Sequence, residues 1–149
     1  MMKTAAKFLL NAVIYVAIVV GILWGVPRFL SWKLKTPYPI AAITSGSMWP
    51  VLKSGDLILI RGVVPGAVAK GDVIVWQQDR GFTIHRVVAV GEKTVTTKGD
   101  ANFTEDSPVP HAAIIGKAVD VRGKLFRIPF LGVISTFGAR LRGGDASSP

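Results

Sequence analysis

Three short stretches hold the side chains able to do chemistry. In Ser45-Gly46-Ser47-Met48-Trp49-Pro50 a glycine lets the backbone bend tightly between two hydroxyls, directly after the apolar residues 40–43. A nucleophilic serine needs an exposed hydroxyl and nearby backbone amides to hold an oxyanion, and such a turn offers both. Taken alone, Ser-Gly-Ser is also a common polar turn. In Thr83-Ile84-His85-Arg86-Val87-Val88, strand alternation puts His85 on one face with Val87 and Ala89, and Ile84, Arg86 and Val88 on the other. A strand histidine usually serves packing, but beside a serine it is the natural proton acceptor near neutral pH. Residues 98–108 carry Asp100, Glu105 and Asp106. One of these acids could fix the imidazole tautomer and stabilise the imidazolium, or all three could simply solvate a loop. His111, in the polar stretch that follows, is expected to face solvent.

Composition narrows the chemistry further. The chain has 149 residues and no cysteine, which removes disulfides, thiolate metal sites and a thiol nucleophile. Its two histidines lie far apart, so no metal or cofactor is expected. The net charge of +9 is concentrated at the ends. Lys3, Lys7, Arg28, Lys33 and Lys35 precede residue 37 with no acid among them, and Arg122, Lys124, Arg127, Arg140 and Arg142 follow residue 121 against Asp145 alone. Basic ends on a near-neutral middle suit anionic lipid headgroups, at roughly 1 kcal/mol per cation. A nucleic-acid partner is not expected, since that would call for a basic stripe with aromatics across the folded part.

The elements that must position these residues begin with an anchor. Residues 8–26 form an apolar run of 19, interrupted only by Asn11, and 12 of them are Leu, Ile, Val or Phe. A bilayer core of ~30 Å needs about 20 helical residues, so the run is long enough to span. It exceeds the ~7–15 residues of a cleavable signal's apolar region, and no small-x-small site follows closely. An uncleaved transmembrane helix is the expectation. Cations flank it on both sides, so the positive-inside rule does not assign its orientation. A second apolar stretch, 128–139, contains Pro129, Gly132 and Gly138 and is too short to span; interfacial contact with lipid is favoured over a packed core role. The tail 143–149 reads as disordered.

Between these ends, residues 57–60, 73–76, 83–90, 94–97 and 114–121 are rich in β-branched side chains and separated by Gly, Pro, Asp and Lys. The expected fold is mainly β: a compact, barrel-like domain with several strands buried on both faces, preceded by a transmembrane helix. Gly-Asp recurs at 55–56, 71–72 and 99–100, where glycine supplies unusual backbone angles and aspartate binds nearby amides. That turn role weakens Asp100 as a catalytic candidate.

Taken in order, Ser-Gly-Ser-Met-x-Pro, Gly-Asp, His-Arg-Val and Lys-Gly-Asp-x-Asn resemble the type I signal peptidase family, from the anchor helix to about residue 128. The bacterial branch has lysine where His85 stands, so the chain is most similar to the endoplasmic-reticulum and archaeal type. The resemblance implies Ser47 as nucleophile, its amide and the Ser45 hydroxyl as oxyanion hole, and His85 as general base. Family acids match both Asp100 and Asp106; Asp106 is preferred. The expected division is an anchor over 1–36, a β-rich serine peptidase domain over 37–122, and an apolar, interfacial segment with tail over 123–149. The partners implied are secretory preproteins and the lipid bilayer, with accessory subunits unassigned. The expected location is the cell membrane, as a single-pass protein with its catalytic domain outside the cytoplasm. Shallow pockets for small side chains at the first and third positions before the cut are implied too. Other readings stay open: a peptidase dedicated to one exported substrate such as a pilin or matrix protein, Lys98 as base in place of His85, or a non-catalytic anchored β-domain that only binds.

Overall fold

The computed structural model describes residues 2–64, 66–78 and 81–132. Most of the second apolar stretch and the tail expected to be disordered, residues 133–149, lie outside the described residues. The apolar N-terminus forms α1 (Met2–Val20), one π turn (Gly21–Gly25) and α2 (Val26–Leu34). Pro27 has no N–H to offer the preceding turn, and the helix widens between its two glycines just before it. The stretch Ala6–Leu34, 29 residues, is long and apolar enough to cross a membrane, and none of its apolar window is buried.

The helix ends where Lys35 adopts a left-handed conformation (φ 52°) and returns its N–H to the Ser31 carbonyl. Immediately there the sheet domain grips it. The Gly62 N–H donates to Leu34 O at 2.8 Å, and a Cβ at position 62 would stand 2.0 Å from Lys35 O. Only glycine permits that approach of backbone to backbone.

The strands are β1 (Ile40–Ala42), β2 (Leu57–Arg61), β3 (Val73–Gln78), β4 (Gly81–Val90), β5 (Thr94–Lys98), β6 (Val109–Pro110), β7 (Ile114–Ala118), β8 (Asp120–Val121), β9 (Lys124–Leu125) and β10 (Arg127–Ile128). Among the described residues all pairings are antiparallel, in the order β1-β2-β7-β3-β4-β5-β6, with β10 also on β2 and β8 paired with β9 as a separate ribbon. The fold is therefore mainly β with an N-terminal helix. This agrees with the expected fold class; the barrel is not closed, since among the described residues β1 and the two-residue β6 end the sheet without pairing to each other. The expected strand 114–121 is also broken at Val119, whose N–H turns to Leu59 O.

β3 shows how the core is divided. Val73 and Val75 face one cluster with Ile43, Met48, Leu52, Ile58 and Ile60. Ile74 and Trp76 face a second with Val68, Val87, Val95 and Val109. A strand buried on both faces has no polar alternation, which is why 73–76 reads as a continuous apolar run. At roughly 1.5–3 kcal/mol per fully buried aliphatic side chain, these two clusters hold the sheet together.

The first two Gly-Asp turns are structural. Gly55 (φ 90°) and Gly71 (φ 96°) occupy conformations that side chains disfavour. Asp56 accepts from Lys53 N–H at 2.9 Å and Arg127 Nη1 at 2.8 Å, while Asp72 accepts from Ala69 N–H and Lys117 Nζ, each at 3.0 Å. Arg127 thereby draws the chain beyond residue 122 onto the sheet, where β10 pairs with β2.

Candidate active site

The serine turn is held from beneath by its apolar neighbours. Met48 and Leu52 are buried in the first core cluster, and the Leu52 N–H closes on Met48 O at 2.9 Å. Two backbone bonds at Ile43 fix the base of the excursion: its N–H donates to Asp56 O, and its carbonyl accepts from the Gly55 N–H. With Met48 turned inward, Ser47 is left part-exposed at the rim. Its Oγ lies 3.2 Å from Ser45 Oγ. Among the described residues its N–H has no hydrogen-bond acceptor, so this donor is open to a ligand.

His85 stands opposite Ile74 across the β3–β4 pair and is 7% exposed, its ring edge-on to Trp76 at 5.6 Å between centroids. Its Nδ1 is 2.6 Å from Asp106 Oδ2. Facing a carboxylate, Nδ1 carries the proton, so Nε2 keeps the lone pair. The same Asp106 oxygen accepts the Thr97 hydroxyl at 2.6 Å, and the Asp106 N–H donates to Thr97 O at 2.8 Å. Thr97 was not singled out from sequence, although alternation with buried Val95 marks it as a polar residue on the core face of a strand.

Asp100 is engaged elsewhere. Both its oxygens accept from Arg86, at 2.8 Å from Nε and 2.8 Å from Nη2, and Arg86 Nη1 donates to Gly71 O at 2.8 Å. The hydrogen bond and charge of Asp100 hold the Arg86 guanidinium above its ordinary range despite partial burial. Glu105 is exposed. Gly99 differs from the other two Gly-Asp glycines: its φ is not left-handed, and the constraint is space. A Cβ there would lie 2.7 Å from Ser47 O and 2.8 Å from Asn102 Nδ2. His111 does not face solvent freely; it is half-buried at the start of a 3-10 turn, with Nε2 3.0 Å from Gly91 O.

Ser45, Ser47 and His85 line one cavity of about 580 Å³, walled by apolar residues that include Ile43, Ile84 and the contacting rings of Tyr38 and Phe82. No hydrogen bond joins Ser47 Oγ to His85. Lys98 does not line this cavity. A hydroxyl, an imidazole with a free nitrogen, a buttressing carboxylate and an unbonded amide can together perform acyl transfer.

No family model matches the chain. It is 32% identical over 124 residues to the signal peptidase complex catalytic subunit sec11 of Pyrenophora tritici-repentis, covering 72% of this chain and 70% of that protein. It is 36% identical over 76 residues to signal peptidase I W of Bacillus subtilis, covering 47% of this chain and 40% of that one. A match of 35% over 75 residues to the catalytic subunit SEC11C of Canis lupus familiaris covers 46% of this chain and 39% of the relative. The chain thus spans under half the length of the Bacillus and dog relatives and about two thirds of the fungal one.

Proposed function

The chain belongs to the type I signal peptidase family, of the endoplasmic-reticulum type, and we propose that it removes signal peptides from secretory precursors as a membrane-anchored serine endopeptidase. In this reading Ser47 Oγ attacks the scissile carbonyl while His85 Nε2 takes its proton. The tetrahedral oxyanion is held by the Ser47 N–H with help from the Ser45 hydroxyl, a contribution whose loss costs roughly 10²–10³ in turnover. Collapse expels the new amino terminus, which takes the proton back from His85 and leaves an acyl-enzyme. His85 then activates a water to release the signal peptide and regenerate Ser47. Asp106 keeps the imidazole in the required tautomer throughout.

The observation that carries this reading is the 2.6 Å contact of His85 Nδ1 with Asp106, with His85 and Ser47 facing the same cavity. Catalytic hydrogen bonds are often open in a free enzyme and tighten when substrate binds, so the unmade Ser47–His85 bond fits it. The apolar cavity wall suits small apolar substrate side chains. The helix Ala6–Leu34 serves as a single-pass anchor in the cell membrane, with the sheet domain outside the cytoplasm. Sharing one membrane plane with the precursor raises their effective concentration.

The test is cleavage of a detergent-solubilised precursor by wild type, Ser47→Ala and His85→Ala. Near-abolition in both variants is expected. Wild-type rates in both would overturn the Ser-His mechanism, whereas no cleavage by any of the three proteins, with both variants keeping the wild-type biological phenotype, would instead make the protein an anchored binding domain.

A further inference from the structure

We propose that Thr97 is a positioning residue that sets the Asp106 carboxylate for His85; this rests on the Ser-His-Asp reading above. Thr97 is 0% exposed on a strand whose matching position Val95 is core, and it lies opposite buried Val87. Valine would fill that site with nearly the same shape. A buried hydroxyl without a partner is costly, so a threonine there needs a reason. Its one side-chain hydrogen bond among the described residues goes to Asp106 Oδ2, at 2.6 Å.

That oxygen is the one which accepts from His85 Nδ1, also at 2.6 Å. The Thr97 carbonyl takes the Asp106 N–H at 2.8 Å, so residue 97 holds residue 106 at two points, by main chain and side chain. Asp106 sits in a loop with its side chain 24% exposed, where a carboxylate is free to rotate and bind water. Threonine is stiff about χ1, so its hydroxyl presents a fixed direction to that carboxylate. Strand rigidity is passed through one hydroxyl to a loop acid, and from the acid to the imidazole.

The experiment uses the full-length protein in detergent with a synthetic precursor bearing an apolar signal segment and a small-x-small cleavage site. Thr97→Val, Thr97→Ser and Thr97→Cys are each assayed in the wild-type and Asp106→Asn backgrounds, with Ser47→Ala alongside. Thr97→Val is expected to lower kcat about tenfold to hundredfold at unchanged KM, the scale of one hydrogen bond to a charged group. Thr97→Ser should stay within about threefold of wild type, and none of the three should slow Asp106→Asn further. Cysteine, a weak donor of serine's shape, should follow valine, which preserves the comparison if valine impairs folding. Unchanged kcat in Thr97→Val or Thr97→Cys, or an equal loss in the Asp106→Asn background, overturns the proposal. If Ser47→Ala cleaves at the wild-type rate, the Ser-His-Asp reading itself has failed; if it is inactive, the fate of Thr97 is judged separately.

Discussion

The N–H of Ala101 donates to the carbonyl oxygen of Ser47 at 2.8 Å, fastening the acid-bearing loop to the backbone of the serine turn. Five residues further along the same loop, Asp106 holds His85. One loop therefore reaches both ends of the site, and its two aspartates have different tasks. Asp106 faces the imidazole, whereas Asp100 locks the loop to the sheet through Arg86.

That division predicts opposite signatures for the two acids. Asp106→Asn should lower kcat by about 10³–10⁴ at little cost in stability, because an amide does not enforce the imidazole tautomer. Asp100→Asn breaks a bidentate pair with part-buried Arg86 and should cost about 1–2 kcal/mol of stability, with a smaller kinetic effect. Precursor cleavage and thermal unfolding of both variants check this; equal, modest kinetic losses would contradict the assignment.

Gly99→Ala should damage turnover through the serine. The added Cβ would press on Ser47 O at 2.7 Å, and the backbone of the serine turn must shift to relieve it. A displacement near 1 Å at a reacting group can cost about 100-fold in rate. Gly71→Ala, strained by its positive φ but with no neighbour within 4 Å of the added Cβ, should lower the melting temperature while leaving kcat of the folded enzyme close to wild type.

Lys98→Ala should retain activity within about threefold, since the proton transfer is assigned to a general base that this lysine does not supply. Lys98 does not line the cavity that His85 and Ser47 share. Loss of cleavage in Lys98→Ala combined with survival in His85→Ala would transfer the base role to the lysine.

Gly62→Val should separate anchor from domain. Its side chain cannot fit where a Cβ alone would stand 2.0 Å from Lys35 O. Cleavage of a short soluble peptide should be nearly unchanged, whereas cleavage of a precursor embedded in lipid vesicles should fall several-fold as the site loses its fixed placement at the membrane. Equal effects on both substrates would count against a docked anchor.

Much of the architecture was legible along the chain because the signals are local. Residues 57–60, 73–76, 83–90 and 94–97 lie within strands, since β-branched runs between Gly-Asp turns fit a buried pleat. The open sheet was not legible. Whether the first and last strands meet depends on strand lengths and registers summed around the whole sheet. His111 misled for a related reason: a polar stretch looks exposed until a distant carbonyl, Gly91 O, takes its ring nitrogen.

The order of residues by itself determined which groups are available for chemistry: two serines about a glycine, one strand histidine, a loop with three acids and an apolar helix. Alternation also determined that His85 and Arg86 stand on opposite faces of their strand, because it is a property of consecutive residues. Only the tertiary structure decided how the acids divide. Asp100 and Asp106 are close in sequence, but Arg86 and His85, adjacent on β4, point to opposite faces and each captures a different one. It also brought Gly99 against Ser47 O and the Thr97 hydroxyl onto Asp106. Such contacts arise from the way strands and loops fold back on one another, and no spacing along the chain encodes them.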